Sequence, residues 1–343
     1  MRLFSIGLLV LFTSVTTLVG QAPTAPGPLP EGAAPTAPAA GGRGRGGRGG
    51  PPRVAFIPDA PALAHRIVEG ALTLPADVAF GVIPSVAVNS QGRVFVYHRA
   101  DTPLLEFDGS GRFARGLRQG TATRAHSVRI DARDNIWLVD SGDHTVTKLS
   151  PQGEVLLTLG TKGVVGTGDA DAAQSRFNIP SDVGFGPNGD IFVAQGEVGG
   201  PDPRVIRFDS TGKFITTWSL AYAQGTRSNP HAIEVDRKGL VYVADREVMR
   251  IRVFQPDGTH VRDIQMSNPV CGIFIDRNQQ LWVATGADGQ VMHVDWDGKV
   301  LGFAGRRGTG IGEMTEAHML ALAPNGDIYV ADSVGRKVVK FQK

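Results

Sequence analysis

The chain has 343 residues, of which 41% are hydrophobic, and its formal net charge is +2. This length and apolar content can bury a sizeable core and exclude a disordered protein, while 45 glycines and 22 prolines favour a turn-rich all-β domain. The small net charge does not indicate a nucleic-acid partner. The single cysteine, Cys271, excludes an internal disulfide, so stability must come from the core or from a metal.

The N-terminal segment has the layout of a secretory signal. Arg2 precedes an uncharged apolar run from Leu3 to Val19, and Gly20 follows it. A membrane anchor is the weaker interpretation, because the run is at the short limit for spanning a bilayer. We therefore expect a signal peptide over residues 1–20 and a secreted or periplasmic protein with no membrane span after cleavage.

Residues 21–53 form a Pro/Ala/Gly/Arg-rich segment with almost no large apolar side chains. Such a segment cannot offset the entropy of becoming ordered, so we predict a disordered linker and a folded domain over residues 54–343. The stretch GGRGRGGRGG is also found in RNA-binding segments, but in an exported chain a solvated tether is favoured.

From residue 83 onward one pattern recurs six times: a small residue or proline, an alternating apolar strand, a polar turn, and a second strand with an aromatic residue. The copies include IPSVAVNSQGRVFVYHR, NPHAIEVDRKGLVYVADR and EAHMLALAPNGDIYVADS. Successive turn positions are 40 to 55 residues apart and are occupied by Gly92, Asp134, Gly189, Gly239, Gln279 and Gly326. Repeats of this length predict propeller blades, and the period-two alternation excludes a helical solenoid.

Five copies continue with a third and a fourth strand, as in VTKLSPQG followed by EVLLTL, whereas the sixth ends with the chain at VVKFQK. We predict that residues 62–74, which precede the first copy, supply the missing outer strand. The fold class is therefore all-β, a six-bladed β-propeller, because radial closure protects the edges of repeated antiparallel sheets.

Histidine occupies one template position in alternate blades only. Eight residues before each turn position lie Pro84, His126, Ser181, His231, Cys271 and His318. Alternate blades of a six-bladed ring are roughly 120° apart, so the three imidazoles are predicted to converge on the central channel. Three converging histidines with an open position are typical of a catalytic zinc site. A set of satisfied strand-end histidines is the competing interpretation, and the strict alternation favours a metal.

Aspartates occupy the same three blades at the sixth residue after the turn: Asp140, Asp245 and Asp332. A carboxylate there either orients a ligand imidazole or is a strand-end hydrogen-bonding residue, and the second interpretation is favoured.

One residue further on, arginine occupies blades 1 and 4, which face each other across the axis. Arg99 and Arg246 suit a substrate that bears a carboxylate, because guanidinium binds carboxylate in a bidentate manner and stays charged. Salt bridges at the surface or between blades are the alternative.

The segments FVYHR, AHSVRID, NPHAIEVD, VADRE and AHMLALAPNGDIYVAD resemble those of peptidyl-α-hydroxyglycine α-amidating lyases, which are six-bladed propellers of the NHL-repeat type. The resemblance runs from about Val82 to Phe341. It implies that His126, His231 and His318 bind zinc and that Arg99 and Arg246 lie in the active site. Enzymes of this family cleave a C-terminal α-hydroxyglycine into a peptide amide and glyoxylate.

The chain also departs from that family. A catalytic tyrosine of the family is replaced in AQGEVGG by Glu197, which is a candidate base, with Tyr222 as a weaker candidate. An acidic calcium ligand of the family is replaced by Met319, which makes calcium doubtful. Cys271, in the histidine position of blade 5, is either an inert buried thiol or a fourth ligand.

These observations favour a monomeric secreted zinc lyase that acts on a peptide C-terminus or on a divergent small substrate. The alternative is a noncatalytic NHL propeller that binds a protein or cell-surface partner.

Overall fold

The computed structural model describes residues 57–343, except 119, 121, 198, 199, 224 and 225. The chain divides after Pro52, and the described structure belongs to the unit Arg53–Lys343. The predicted signal peptide and the predicted linker lie outside the described residues. Within the described part, no helix is both long enough and apolar enough to cross a membrane.

Six antiparallel four-stranded sheets follow one another along the chain, which confirms the six-bladed β-propeller. The outer strand of the last blade is β1 (Arg66–Val68). Blade 1 consists of β2 (Val82–Val88), β3 (Val94–Arg99), β4 (Leu104–Phe107) and β5 (Phe113–Leu117). Blade 2 consists of β6 (Ala125–Ile130), β7 (Ile136–Asp140), β8 (Thr145–Leu149) and β9 (Val155–Leu159). Blade 3 consists of β10 (Pro180–Phe185), β11 (Ile191–Gln195), β12 (Arg204–Phe208) and β13 (Phe214–Ser219).

The remaining blades have the same form. Blade 4 consists of β14 (Pro230–Val235), β15 (Val241–Asp245), β16 (Arg250–Phe254) and β17 (His260–Gln265). Blade 5 consists of β18 (Gly272–Ile275), β19 (Leu281–Ala284), β20 (Val291–Val294) and β21 (Val300–Ala304). A short parallel pair, β22 (Arg306–Arg307) and β23 (Glu313–Met314), precedes the sixth blade. Blade 6 contains β24 (Ala317–Leu322), β25 (Ile328–Asp332) and β26 (Lys337–Gln342), and one short helix, α1 (Gly168–Ala172), lies between blades 2 and 3.

The ring is closed by a strand from the start of the domain. β1 pairs antiparallel with β26, with Ile67 opposite Phe341. This strand lies within residues 62–74, so the predicted closure is confirmed. Closure covers the edge that β26 would otherwise present to other chains.

Each turn position that defines the repeat has a positive φ angle. The four glycines Gly92, Gly189, Gly239 and Gly326 have φ between 77° and 91°, which glycine adopts without steric cost. Asp134 and Gln279 adopt φ of 59° at the same position. The backbone therefore repeats even where the residue type does not.

The apolar core lies between adjacent blades. Trp137 and Val139 of blade 2, for example, belong to one buried cluster with Val183 and Ile191 of blade 3. Because both faces of each sheet are covered in this way, the inner strands are almost wholly buried, and β6 is exposed only partly at its last residue. Their N-terminal ends are thereby fixed around one end of the central channel.

Candidate functional site

Three histidines from alternate blades meet in the channel. His126 and His231 have no exposed surface and His318 is 6% exposed. The candidate ligand nitrogens lie within 4.8 Å of one another. The ring centroid of His126 is 4.9 Å from that of His231 and 5.2 Å from that of His318. The centroids of His231 and His318 are 4.6 Å apart. The structure thus brings together the three side chains that sequence spacing placed at one depth.

A local irregularity in each inner strand places the histidine. In blade 2 the ladder pairs Ala125 with Asp140 and then resumes at Ser127, so His126 falls in the break. The same break occurs in blade 4 between Pro230 and Ala232. β-Bulges of this kind redirect a side chain at the end of a ladder.

The Nδ1 atom of each histidine is held by a main-chain carbonyl of the next blade. His126 Nδ1 lies 2.6 Å from the Ser181 oxygen, and His231 Nδ1 lies 2.6 Å from the Cys271 oxygen. His318 Nδ1 lies 2.7 Å from the oxygen of Pro84. Since a carbonyl only accepts, Nδ1 must carry the proton, and in the neutral imidazole Nε2 keeps its lone pair. All three rings therefore present the tautomer that a metal requires.

The aspartates of the same blades bind the backbone instead of the imidazoles. Asp140 accepts hydrogen bonds from the amides of Thr123 at 2.6 Å and Arg124 at 2.8 Å. Asp332 accepts in the same way from Thr315 and Glu316. The strand-end role that the sequence favoured is what the contacts show, and carbonyl groups orient the rings.

Glu197 lies beside the histidines. Its Oε2 atom is 3.3 Å from His126 Nε2, and its side chain is 2% exposed. Both of these atoms are buried and lack a hydrogen-bond partner among the described residues. Buried polar atoms that stay unpaired are costly, so an unpaired nitrogen and an unpaired carboxylate oxygen facing one another fit a bound cation.

The electrostatics of the site also suit a cation. Burial and the neighbouring His318 and Arg246 lower the pKa of His231 well below its ordinary value, and burial with His126 lowers that of His318 to about 3. Burial alone would raise the pKa of Glu197, but His126 and Arg124 hold it well below its usual range. At neutral pH the site therefore offers uncharged His231 and His318 imidazoles close to a carboxylate.

The two predicted arginines border the same space. Arg246 Nη1 donates to His231 Nε2 at 3.2 Å, and its Nε lies 3.2 Å from Glu247 Oε1. Arg99, which is exposed, donates from Nε to the carbonyl of Ala125, the residue before a histidine. Arg246 therefore contacts the histidine cluster directly, whereas Arg99 borders it through the backbone.

A third arginine, which sequence reasoning missed, completes this side. Arg124 Nη2 lies 3.6 Å from Glu197 Oε1, and the arginine side chain is 32% exposed. Its place two residues before His126 was the one sequence feature that could have indicated it. Comparison of the repeats did not single it out, because the prediction relied on residues that recur in several blades. Its pairing with Glu197 becomes visible only when blades 2 and 3 are adjacent.

Three further residues considered from the sequence show no ligand role in the described contacts. The Tyr222 hydroxyl donates to Asp245 Oδ2 at 3.0 Å, so the weaker base candidate is bound to a strand-end aspartate. The Cys271 thiol is buried, and burial raises its pKa to about 12. The Met319 side chain belongs to a buried apolar cluster and offers no oxygen to calcium.

The residues that surround His231 match a known repeat. A family model for the NHL repeat matches residues 228–254, which include His231, Asp245 and Arg246. A probable peptidyl-alpha-hydroxyglycine alpha-amidating lyase of Caenorhabditis elegans is 25% identical, over 76% of this chain and 83% of the relative. The chain resembles the amidating lyases. Amidating lyase 1 of Drosophila melanogaster is 27% identical over 64% of this chain and 45% of its own length.

Other relatives carry different names. Human NHL repeat-containing protein 3 is 32% identical over 50% of this chain, and the match spans 51% of the human protein. Among solved structures, a streptogramin B lyase aligns with a TM-score of 0.58 at 14% identity, covering 81% of this chain and 97% of its own. At that identity the likeness extends to the fold alone.

Proposed function

We propose that the protein is a secreted zinc-dependent lyase that resembles the amidating lyases and breaks the carbon–nitrogen bond of an α-hydroxyglycine, releasing an amide and glyoxylate. The main support for this proposal is the set of three buried imidazoles. The Nδ1 atom of each one is bound to a main-chain carbonyl, which leaves the Nε2 lone pair for a metal. The named lyases among its relatives support it.

His126, His231 and His318 would hold the metal. Three neutral imidazole nitrogens with room for a further ligand are the donor set of catalytic zinc, and their mutual separations within 4.8 Å suit one ion. Bound there, zinc supplies Lewis-acid polarisation of the substrate's hydroxyl group.

Glu197 is the proposed base. Its buried carboxylate lies beside His126 Nε2 and has an unpaired oxygen, Oε2. The hydroxyl proton would pass to this carboxylate while the carbon–oxygen double bond of glyoxylate forms and the carbon–nitrogen bond breaks. The same proton then neutralises the departing amide nitrogen, so that the base is restored.

Arg99 and Arg246 would bind the substrate carboxylate. In the structure Arg246 donates a hydrogen bond to the lone pair of His231 Nε2. A metal bound by His231 would take the same lone pair. Metal binding would therefore release the Arg246 guanidinium to a carboxylate, which it can bind in a bidentate manner. Binding of the metal and readiness for substrate are thereby linked through one hydrogen bond. A small hydroxylated carboxylate would satisfy the same contacts as a peptide C-terminus.

A noncatalytic propeller that binds a protein or cell-surface partner is the second candidate. It is supported by the human relative, which has a higher identity than the lyases and whose name states a repeat and no activity. In that case the metal would stabilise the ring and Glu197 would have no substrate to deprotonate.

The test is glyoxylate release from N-benzoyl-α-hydroxyglycine by zinc-loaded protein, with heat-denatured protein as the baseline for spontaneous decay. The lyase proposal predicts enzyme-dependent glyoxylate and benzamide in equal amounts. Metal-loaded, folded protein that gives only the baseline rate with this compound and with hydroxyglycine-terminated peptides would overturn the lyase and leave the partner-binding propeller.

A further inference from the structure

A second ring of side chains lies deeper along the inner strands. Five residues before each turn position are Ala87, Arg129, Gly184, Glu234, Phe274 and Ala321. This position is three residues beyond the histidine position, about 10 Å along a strand. Three of the six residues are alanine or glycine, so they leave space at the end of the channel opposite the histidines.

A cavity of about 650 Å³ occupies that end, and residues from all six blades line it. Its walls include apolar side chains that remain partly exposed, among them Val88, Phe185, Phe274 and Leu322. Arg129 and Glu234 also line it. The cavity is large enough for a small organic molecule and is separate from the histidine site.

An ion cluster of Arg129, Asp182 and Glu234 lies at this position. Arg129 donates from Nε to Asp182 Oδ1 at 2.9 Å, from Nη1 to Glu234 Oε1 at 2.8 Å, and from Nη2 to the Ile273 carbonyl at 3.2 Å. The Asp182 oxygens also accept from Ser127 Oγ and from the amide of Ile233. The guanidinium of Arg129 thus binds both carboxylates. Both oxygens of Asp182 accept hydrogen bonds from other groups of the protein.

Glu234 is the carboxylate of this cluster that reaches the cavity. Its side chain is 18% exposed, while that of Asp182 has no exposure. The described ion pair of Glu234 uses Oε1. Burial, with Asp182 beside it and Arg129 opposing, raises the pKa of Glu234 to about 7. Glu234 is thus the carboxylate of the cluster that a ligand in the cavity would meet.

We propose that this cavity is a binding site for a small organic cation, a primary ammonium on a short apolar chain. The ammonium would pair with Glu234 and lie near the aromatic ring of Phe274, and the chain would contact the partly exposed apolar walls. The cavity also contains charges of both signs away from the ion cluster: Asp131, Asp134, Asp276, Arg277 and Lys343.

An ammonium fits better than a metal ion or an anion. A divalent metal needs several oxygen ligands, and the Asp182 oxygens are engaged by Arg129, Ser127 and Ile233. An anion would face the carboxylate of Glu234, because Arg129 is already bound to it. The proposal does not depend on the metal centre, because the two sites lie at opposite ends of β6.

The test titrates the full-length protein with n-butylammonium chloride by calorimetry, and uses n-butanol as the uncharged probe of equal shape. We expect saturable binding of the cation and binding of butanol at least tenfold weaker. The Glu234→Gln variant should weaken cation binding at least tenfold, while Glu154→Gln, at an exposed turn, should leave it unchanged.

A second variant protects the test from a folding defect. Ala321→Leu keeps Glu234 but adds bulk at the cavity wall, so it too should weaken binding of the cation while the thermal transition persists. Equal affinity for butanol, unchanged binding in a folded Glu234→Gln or Ala321→Leu protein, or no saturable binding by the wild type would each overturn the proposal.

Discussion

His318 and Pro84, from the last and first blades, are joined by a 2.7 Å contact between the imidazole Nδ1 and the main-chain carbonyl. The same contact recurs from blade 2 to blade 3 and from blade 4 to blade 5. The orientation of each candidate metal ligand is therefore set by the blade that follows it. An intact ring of blades is a condition for the site.

Closure of the ring gives the first prediction. A chain that starts at residue 70 lacks β1, whereas a chain that starts at residue 54 keeps it. Without β1 the edge of β26 is uncovered, so we expect a melting temperature about 5 °C lower or more, and increased self-association. Thermal unfolding and light scattering of the two chains measure this. Equal melting temperatures and equal particle sizes would show that β1 does not close the propeller.

Glu197→Gln tests the proposed base. The amide keeps the shape of the side chain but cannot take a proton, so glyoxylate release should fall by 10²-fold or more. Zinc content should remain near the wild-type value. Glu154→Gln is the matched control. A Glu197→Gln protein with near-normal turnover would remove this residue from the chemistry, while one that has lost its zinc would make it a ligand.

Asp140→Asn separates a structural from a ligand-orienting aspartate. Asp140 accepts four amide hydrogen bonds, from Thr123, Arg124, Gly142 and Asp143, and no described contact joins it to His126. We expect a loss of about 1–3 kcal/mol of unfolding free energy in urea with unchanged zinc content. Asp297→Asn, at a side chain that is 92% exposed, is the control. Loss of zinc from folded Asp140→Asn protein would assign the aspartate to the metal centre instead.

The sequence predicted the blades and the histidine ring because both depend on a repeated template. Every predicted turn position has positive φ, and β1 closes the ring from within the predicted residues. What the sequence left open depends on contacts between blades. The carbonyl bound to His126 Nδ1 belongs to Ser181. Every residue has a main-chain carbonyl, so the residue type at this position does not predict the contact. Arg124 and Glu197 likewise meet only across adjacent blades.

Glu234 gives a pH dependence of stability. Its pKa is raised from 4.5 to about 7 in the folded protein, so between these values the folded state keeps a proton that the unfolded chain releases. This contribution to stability is present below about pH 4.5 and is lost as the pH rises towards 7. Glutamine cannot titrate, so the Glu234→Gln protein should not lose this contribution. Its unfolding free energy relative to that of the wild type should therefore increase as the pH rises from 5 to 7.5. Urea unfolding at these two values measures the difference, and parallel pH profiles would contradict it.

We propose that three histidines of alternate blades hold one zinc ion. The most direct measurement is elemental mass spectrometry of the zinc-reconstituted protein beside His126→Ala, His231→Ala and His318→Ala, with His260→Ala, in an outer strand, as the control. We predict one zinc per chain in the wild type and in His260→Ala, and loss of zinc in each of the other three variants. A folded wild type without zinc, or zinc retained in the three variants, would contradict zinc binding by these histidines.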